Sequence, residues 1–151
     1  MTLTLTNRQR TVPVDRKRLL ARAKQLLVLA QRRTPGVTWQ EVAIHLMDDA
    51  GIAPINEAIL KHTGATDVIT QRYDSCPGEA EGLRGELFVN VERAATVPRR
   101  GTWTAEQELA LYLAHGFDHL TGADDSTPPA RSRMRRRELA WLRQTKHEGI
   151  L

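Results

Sequence analysis

The sequence predicts an α+β fold: one domain over residues 1–151, a small mixed four-stranded sheet with helices packed on it. Three observations lead there. The apolar period changes along the chain between alternation and helical spacing without a regular βαβ repeat. A length of 151 residues, 40% hydrophobic and 26% charged, suffices for one buried core. The single cysteine, Cys76, allows no internal disulfide, and in the polar stretch Asp74–Gly78 it reads as an incidental thiol.

The elements follow in order. Leu3 to Asn7 alternates leucine with polar residues and reads as a strand. Asp15 is placed to cap a helix whose stripe is Leu19, Leu20, Ala23, Leu26, Leu27 and Ala30, and Pro35-Gly36 breaks it. Val37 to Met47 reads as a second strand through Val42, Ile44 and Leu46. Asp48-Asp49 is then a turn or cap before a short helix over Ile52 to Lys61. Asp67 to Tyr73 is a third strand, Asp74 to Gly82 a loop, and Glu86 to Val91 a fourth strand with Leu87 and Val89 on one face. Thr102 or Thr104 caps a strong helix with Glu106 and Glu108 in its first turns, where the helix dipole favours acids. Pro128-Pro129 falls in the loop beyond it, and Ser132 to about Lys146 forms a last, arginine-rich helix.

Charge is unevenly spread. Residues 1–33 hold nine Lys/Arg against one acid, residues 34–98 four against ten, and residues 99–151 nine against seven. Two cationic surfaces follow, on the first and last helices, suited to phosphate backbones if they are more than solvated helix faces. No apolar run approaches the roughly 20 residues of a spanning helix, and the N-terminus lacks the pattern of a signal peptide. The expectation is a cytoplasmic protein with no membrane partner.

The chemistry concentrates in His115-Gly116-Phe117-Asp118-His119-Leu120-Thr121-Gly122-Ala123-Asp124-Asp125. Histidines at i and i+4 share one helical face, so His115 and His119 can converge on one ion. Gly122 permits a left-handed turn that ends the helix and returns the chain. The next carboxylate is then the natural third ligand, and metzincin-like spacing favours Asp125, leaving Asp124 as a supporting partner or a cap. Asp118 faces away from the histidine stripe. Three protein ligands leave one position open for water, the arrangement of a catalytic zinc. Zinc peptidases place glutamate directly after the first histidine as general base, and here that position is Gly116. An iron-oxygenase triad shares the ligand types and ranks below hydrolysis of phosphodiesters.

These residues resemble the YbeY family of single-strand-specific metallo-endoribonucleases. The family signature His-Gly-x-Leu-His-Leu-x-Gly-x-Asp-His is matched by His115-Gly116, His119-Leu120, Gly122 and Asp124. Asn56 and Thr66-Asp67-Val68 resemble an upstream segment, Gly85-Glu86-Leu87 a Gly-Asp-Ile strand, and Met134 with Glu138 the Met-x-x-x-Glu of the last helix. Three positions depart: Asp125 replaces the third histidine, Asp118 a leucine, and Ile59-Leu60 a Tyr-Arg pair. Lys61, Arg72 and Arg84 are candidates to replace that arginine.

The resemblance implies an endoribonuclease with one zinc ion on His115, His119 and Asp125. Its partners would be single-stranded ribosomal RNA and the ribosome or its small subunit. Its role would be maturation of the 3′ end of small-subunit ribosomal RNA and ribosome quality control. No small-molecule cofactor is expected. No side chain is assigned as catalytic; water at the open metal position is the reactive group. The basic helix beginning near Asp15 would line an RNA groove. The alternatives are a metzincin-like metallopeptidase and a non-catalytic RNA-binding ribosome-assembly factor.

Overall fold

The fold is described from a computed structural model covering residues 1–75, 77–145 and 150–151. Cys76 and the expected helix end at Lys146 lie outside the described residues. Strands β1 (Thr2–Asn7), β2 (Trp39–Met47), β3 (Val68–Tyr73) and β4 (Leu83–Asn90) form one sheet in the order β1-β2-β4-β3. β1, β2 and β4 run parallel, while β3 pairs antiparallel with β4, so the sheet is mixed as expected. Parallel neighbours need a crossover, and α1 (Arg16–Arg32) supplies the one between β1 and β2.

Register decides the faces. Leu5 stands opposite Ile44, and Ile44 opposite Leu87. With Val42, Leu46 and Val89 these residues form one apolar face. The stripe of α1 (Leu19, Ala23, Leu26, Leu27, Ala30) is buried in the same core. So is α4 (Ala105–Leu120), whose Leu109, Leu113, Phe117 and Leu120 are each 0% exposed. Full burial of each such side chain stabilises by roughly 1.5–3 kcal/mol, so α4 is firmly seated. Alternation puts Met47, Ile69 and Phe88 on the opposite face, where Ile52 of α2 (Asp49–Leu60) completes a smaller cluster.

Two glycines set how closely α4 approaches β4. A Cβ on Gly116 would meet Leu87 at 2.9 Å, and one on Gly85 would meet Leu120 at 2.7 Å. Side chains at either position would lift the helix from the sheet and shift everything it carries. At the start of α4, Thr104 and Gln107 form a reciprocal capping box, which selects Thr104 over Thr102.

Several boundaries differ from the sequence expectation. Asp48 caps α2 by accepting the Gly51 N–H at 2.8 Å, so the helix begins at Asp49 rather than Ile52. β4 begins at Leu83 because its first residues pair with β2 and β3. Asn90 caps a further short helix, α3 (Val91–Thr96), whose six residues are too few for a visible period. Pro128 and Pro129 are not in a loop. They open α5 (Pro128–Gln144) behind the Thr127 cap, in the first turn, where a missing N–H costs no helical hydrogen bond.

Candidate metal centre

The histidines lie on the last turns of α4, and the chain folds back as expected. Gly122 has φ +94°, and its N–H returns to the carbonyl of His119 at 2.9 Å. That turn brings Asp125 beside both rings. His115 Nε2 and His119 Nε2 are 3.1 Å apart, and Asp125 Oδ2 is 3.5 Å from the first and 3.3 Å from the second.

The other ring nitrogens explain this convergence. His115 Nδ1–H donates to Glu138 Oε1 at 2.6 Å, and His119 Nδ1–H donates to the Ala123 carbonyl at 3.0 Å. Both acceptors lack a proton to give, so each neutral ring carries its lone pair on Nε2. Two lone pairs and a carboxylate oxygen pointed at one another repel, and a cation between them removes the conflict. Ligands held about 2.0–2.1 Å from a tetrahedral ion stand about 3.3 Å from one another. The separations of 3.1, 3.3 and 3.5 Å match that edge length, so the donor set fits a small divalent cation.

Glu138 is the site residue that sequence reasoning did not assign a role. Its side chain is 1% exposed, and it orients His115 from α5. The available signals were its match, with Met134, to the Met-x-x-x-Glu of the resemblance and its position as the only acid in an arginine-rich helix. Burial opposes the charged form of His115, but the Glu138 hydrogen bond outweighs it together with the negative charges of Glu138, Asp67 and Asp125. The imidazole pKa is therefore raised above its ordinary 6.5. Asp124 is exposed, and its carboxylate accepts from the backbone N–H and hydroxyl of Ser126. Those bonds hold its pKa below the ordinary value. Asp124 thus braces the loop, while Asp125 faces the histidines.

The site sits where two hollows meet, since His115 and Asp125 line both. On one side a cavity of about 340 Å³ is flanked by Arg131 and Arg135 of α5. On the other a cavity of about 530 Å³ is walled by Asp67 to Thr70, with Leu60 and Arg72 at its edge. Of the three cations considered for the arginine position, only Arg72 reaches this cavity. Its Nη1 donates to the Leu120 carbonyl at 2.8 Å and its Nε to Asp74 at 2.7 Å. Arg84 is paired with Glu79, and Lys61 bonds the Ala58 carbonyl of its own helix. Asn56 is a buried brace, donating to the Gly64 carbonyl at 2.9 Å.

Asp118 does face away from the histidines, but into the protein. It is 0% exposed and accepts from Arg137 Nε at 2.8 Å, with Arg33 Nε 3.8 Å away. Arg33 follows the last residue of α1, so the end of that helix brings a cation to the end of α4. Its first, Arg16, donates to the Leu5 carbonyl about 25 Å away along the helix.

Fold and site together define a class: a small α+β domain with a two-histidine, one-carboxylate cluster at the end of a buried helix, in an arginine-flanked cleft. The family model described as Endoribonuclease YbeY matches residues 4–146. The chain belongs to that family. An endoribonuclease YbeY of Rhodopirellula baltica is 36% identical over 115 residues, covering 76% of this chain and 59% of that protein. One from Chlamydia felis is 29% identical over 139 residues, covering 89% and 84%. The solution structure of TM1509 from Thermotoga maritima superposes with a TM-score of 0.57 at 21% identity, covering 93% of this chain and 86% of that one, a likeness of fold.

Proposed function

We propose that this protein is a zinc-dependent endoribonuclease acting on single-stranded RNA, with His115, His119 and Asp125 as metal ligands. The observation that carries the reading is the pair of Nε2 atoms 3.1 Å apart, each ring committed through Nδ1 to an acceptor. A divalent cation bound there supplies Lewis acidity toward a phosphoryl oxygen and lowers the pKa of water. Glu138 holds His115 in the ligating tautomer, and the Ala123 carbonyl does the same for His119. Arg131, Arg135 and Arg72 line the approaches and are suited to hold the phosphates on either side of the reacting one. Peptide hydrolysis is disfavoured. The position that a zinc peptidase gives its glutamate is Gly116, and a side chain there points at Leu87 in the core.

Family membership supports RNA as the substrate. Maturation of small-subunit ribosomal RNA, ribosome quality control, and the ribosome or its small subunit as partner rest on the family resemblance. A cytoplasmic location agrees with that role, and no helix among the described residues is long and apolar enough to cross a membrane. One observation favours a second reading: Leu60 lines the cavity where the resemblance expects arginine, which suits an RNA-binding assembly factor without turnover.

The test is cleavage of single-stranded ribosomal RNA with and without chelator, beside metal analysis of the wild type and His115→Ala. About one zinc per chain is expected in the wild type, with both metal and cleavage lost in the variant. Cleavage that survives chelation, or metal retained by the variant, removes the proposal. RNA binding without turnover selects the second reading.

A further inference from the structure

Helix α5 carries two rows of arginine at i, i+4 spacing. Arg131 and Arg135 look into the metal cleft. Arg133 and Arg137 look into a separate hollow of about 330 Å³, completed by Arg33 from the end of α1. The two hollows share Met134 as a wall and lie on opposite sides of one loop: Asp125 faces the histidines, and its neighbour Asp124 faces the second hollow.

Three guanidinium groups around one concavity repel unless anions balance them. Asp118 supplies one charge from beneath, fully buried, and bonds Arg137 directly with Arg33 close by. Arg33 is further tied by its Nε to the Thr121 hydroxyl at 3.4 Å. Asp124 lines the same hollow and keeps its negative charge while accepting from Ser126, so the three guanidinium groups exceed the two carboxylates by one positive charge. Arg133 is exposed and has no ion-pair partner among the described residues. A buried carboxylate is costly to retain, and here it fixes two arginines from different helices at the rim of a polar hollow.

We propose that Arg33, Arg133 and Arg137 form an anion subsite for one backbone phosphate of the RNA strand in the metal cleft, with Asp118 as the positioning residue beneath them. The inference rests on the endoribonuclease reading and deepens it. Guanidinium groups suit phosphate because they present paired donors in a plane and keep their charge. The strand would pass from the cleft over the 122–126 loop, so a phosphate flanking the cleaved one reaches the second hollow.

The experiment uses the full, metal-loaded chain and an unstructured oligoribonucleotide, with cleavage followed across a salt series. Arg133→Ala is the first variant, because the residue is exposed and its removal leaves no buried charge. We expect KM to rise several-fold with kcat little changed, and the slope of log(kcat/KM) against log[salt] to flatten by about 0.7, the value for one single-strand phosphate contact. Arg133→Lys should restore most of the slope. Arg143→Ala removes an equal charge about 15 Å along the same helix and should flatten the slope less. The subsite is overturned if Arg133→Ala keeps the wild-type KM and slope, if its loss lies in kcat alone, or if Arg143→Ala has the same effect. Should the wild type show no turnover, the endoribonuclease reading fails by itself. The same slopes are then read from fluorescence anisotropy of the labelled strand, and the subsite stands or falls on them.

Discussion

Two faces of one helix turn carry ionisable groups and treat them in opposite ways. On one face of α4, His115 and His119 keep side chains 23% and 27% exposed, with their Nε2 atoms converging at 3.1 Å. On the other, Asp118 is fully buried and ion-paired with Arg137 and Arg33. The first face points its free nitrogens at a cavity, while on the second Asp118 Oδ1 collects its partners within the protein and Oδ2 is buried without one among the described residues. A polar cluster whose remaining valence points outward toward a cavity awaits a ligand. One whose partners close over it holds helices together. Residue type and helical spacing alone do not separate the two.

The comparison can be broken most forcefully from the Asp118 face. Arg137→Ala leaves a buried carboxylate with only a distant partner, and should lower unfolding free energy by about 3–5 kcal/mol in urea titrations. A loss below about 1 kcal/mol, typical of exposed pairs, would place Asp118 among surface ion pairs instead. Asp118→Leu, which installs the family residue, should cost less than Arg137→Ala, because Arg137 retains partial access to water.

The histidine face is sharpened by Glu138→Gln. An amide keeps the shape but loses the charge and the obligate acceptor that set the His115 tautomer. Metal affinity, measured by competition with a chromophoric chelator, should fall about 10–100-fold with little change in the melting temperature of the metal-free protein. Unchanged affinity would reduce Glu138 to a packing residue.

The smallest effect is in pH. The raised pKa of His115 means that its protonated form stabilises the metal-free fold. That contribution is complete below the unfolded value near 6.5 and disappears as pH rises through the folded pKa. Metal-free protein should therefore melt at a slightly higher temperature just below that value than at mildly alkaline pH, and Glu138→Gln should flatten the difference. Cation binding has the opposite sign, strengthening as pH rises and the imidazole loses its proton.

Much of the site is visible in one stretch of sequence because its geometry is local. The spacing of His115 and His119 follows from 3.6 residues per turn, and the return of Asp125 from the left-handed Gly122. The caps Asp15 and Thr104 are equally local. Pro128-Pro129 misled because proline breaks a helix interior yet opens a helix well, and only the Thr127 cap distinguishes the cases.

What the sequence by itself determined is thus what lies within a turn or two along the chain: the histidine pair on one helical face, the glycine turn, the carboxylate that returns beside it and the absence of an acidic side chain at Gly116. Only the tertiary structure decided that Glu138 orients His115 and that Gly116 faces Leu87. It also decided that Arg72 rather than Lys61 or Arg84 reaches the cleft, and that Arg33, the residue after α1, meets Asp118. Each of these joins residues on different elements, and such contacts depend on how close the packed core allows those elements to come. The spacing of residues along the chain carries no record of that distance.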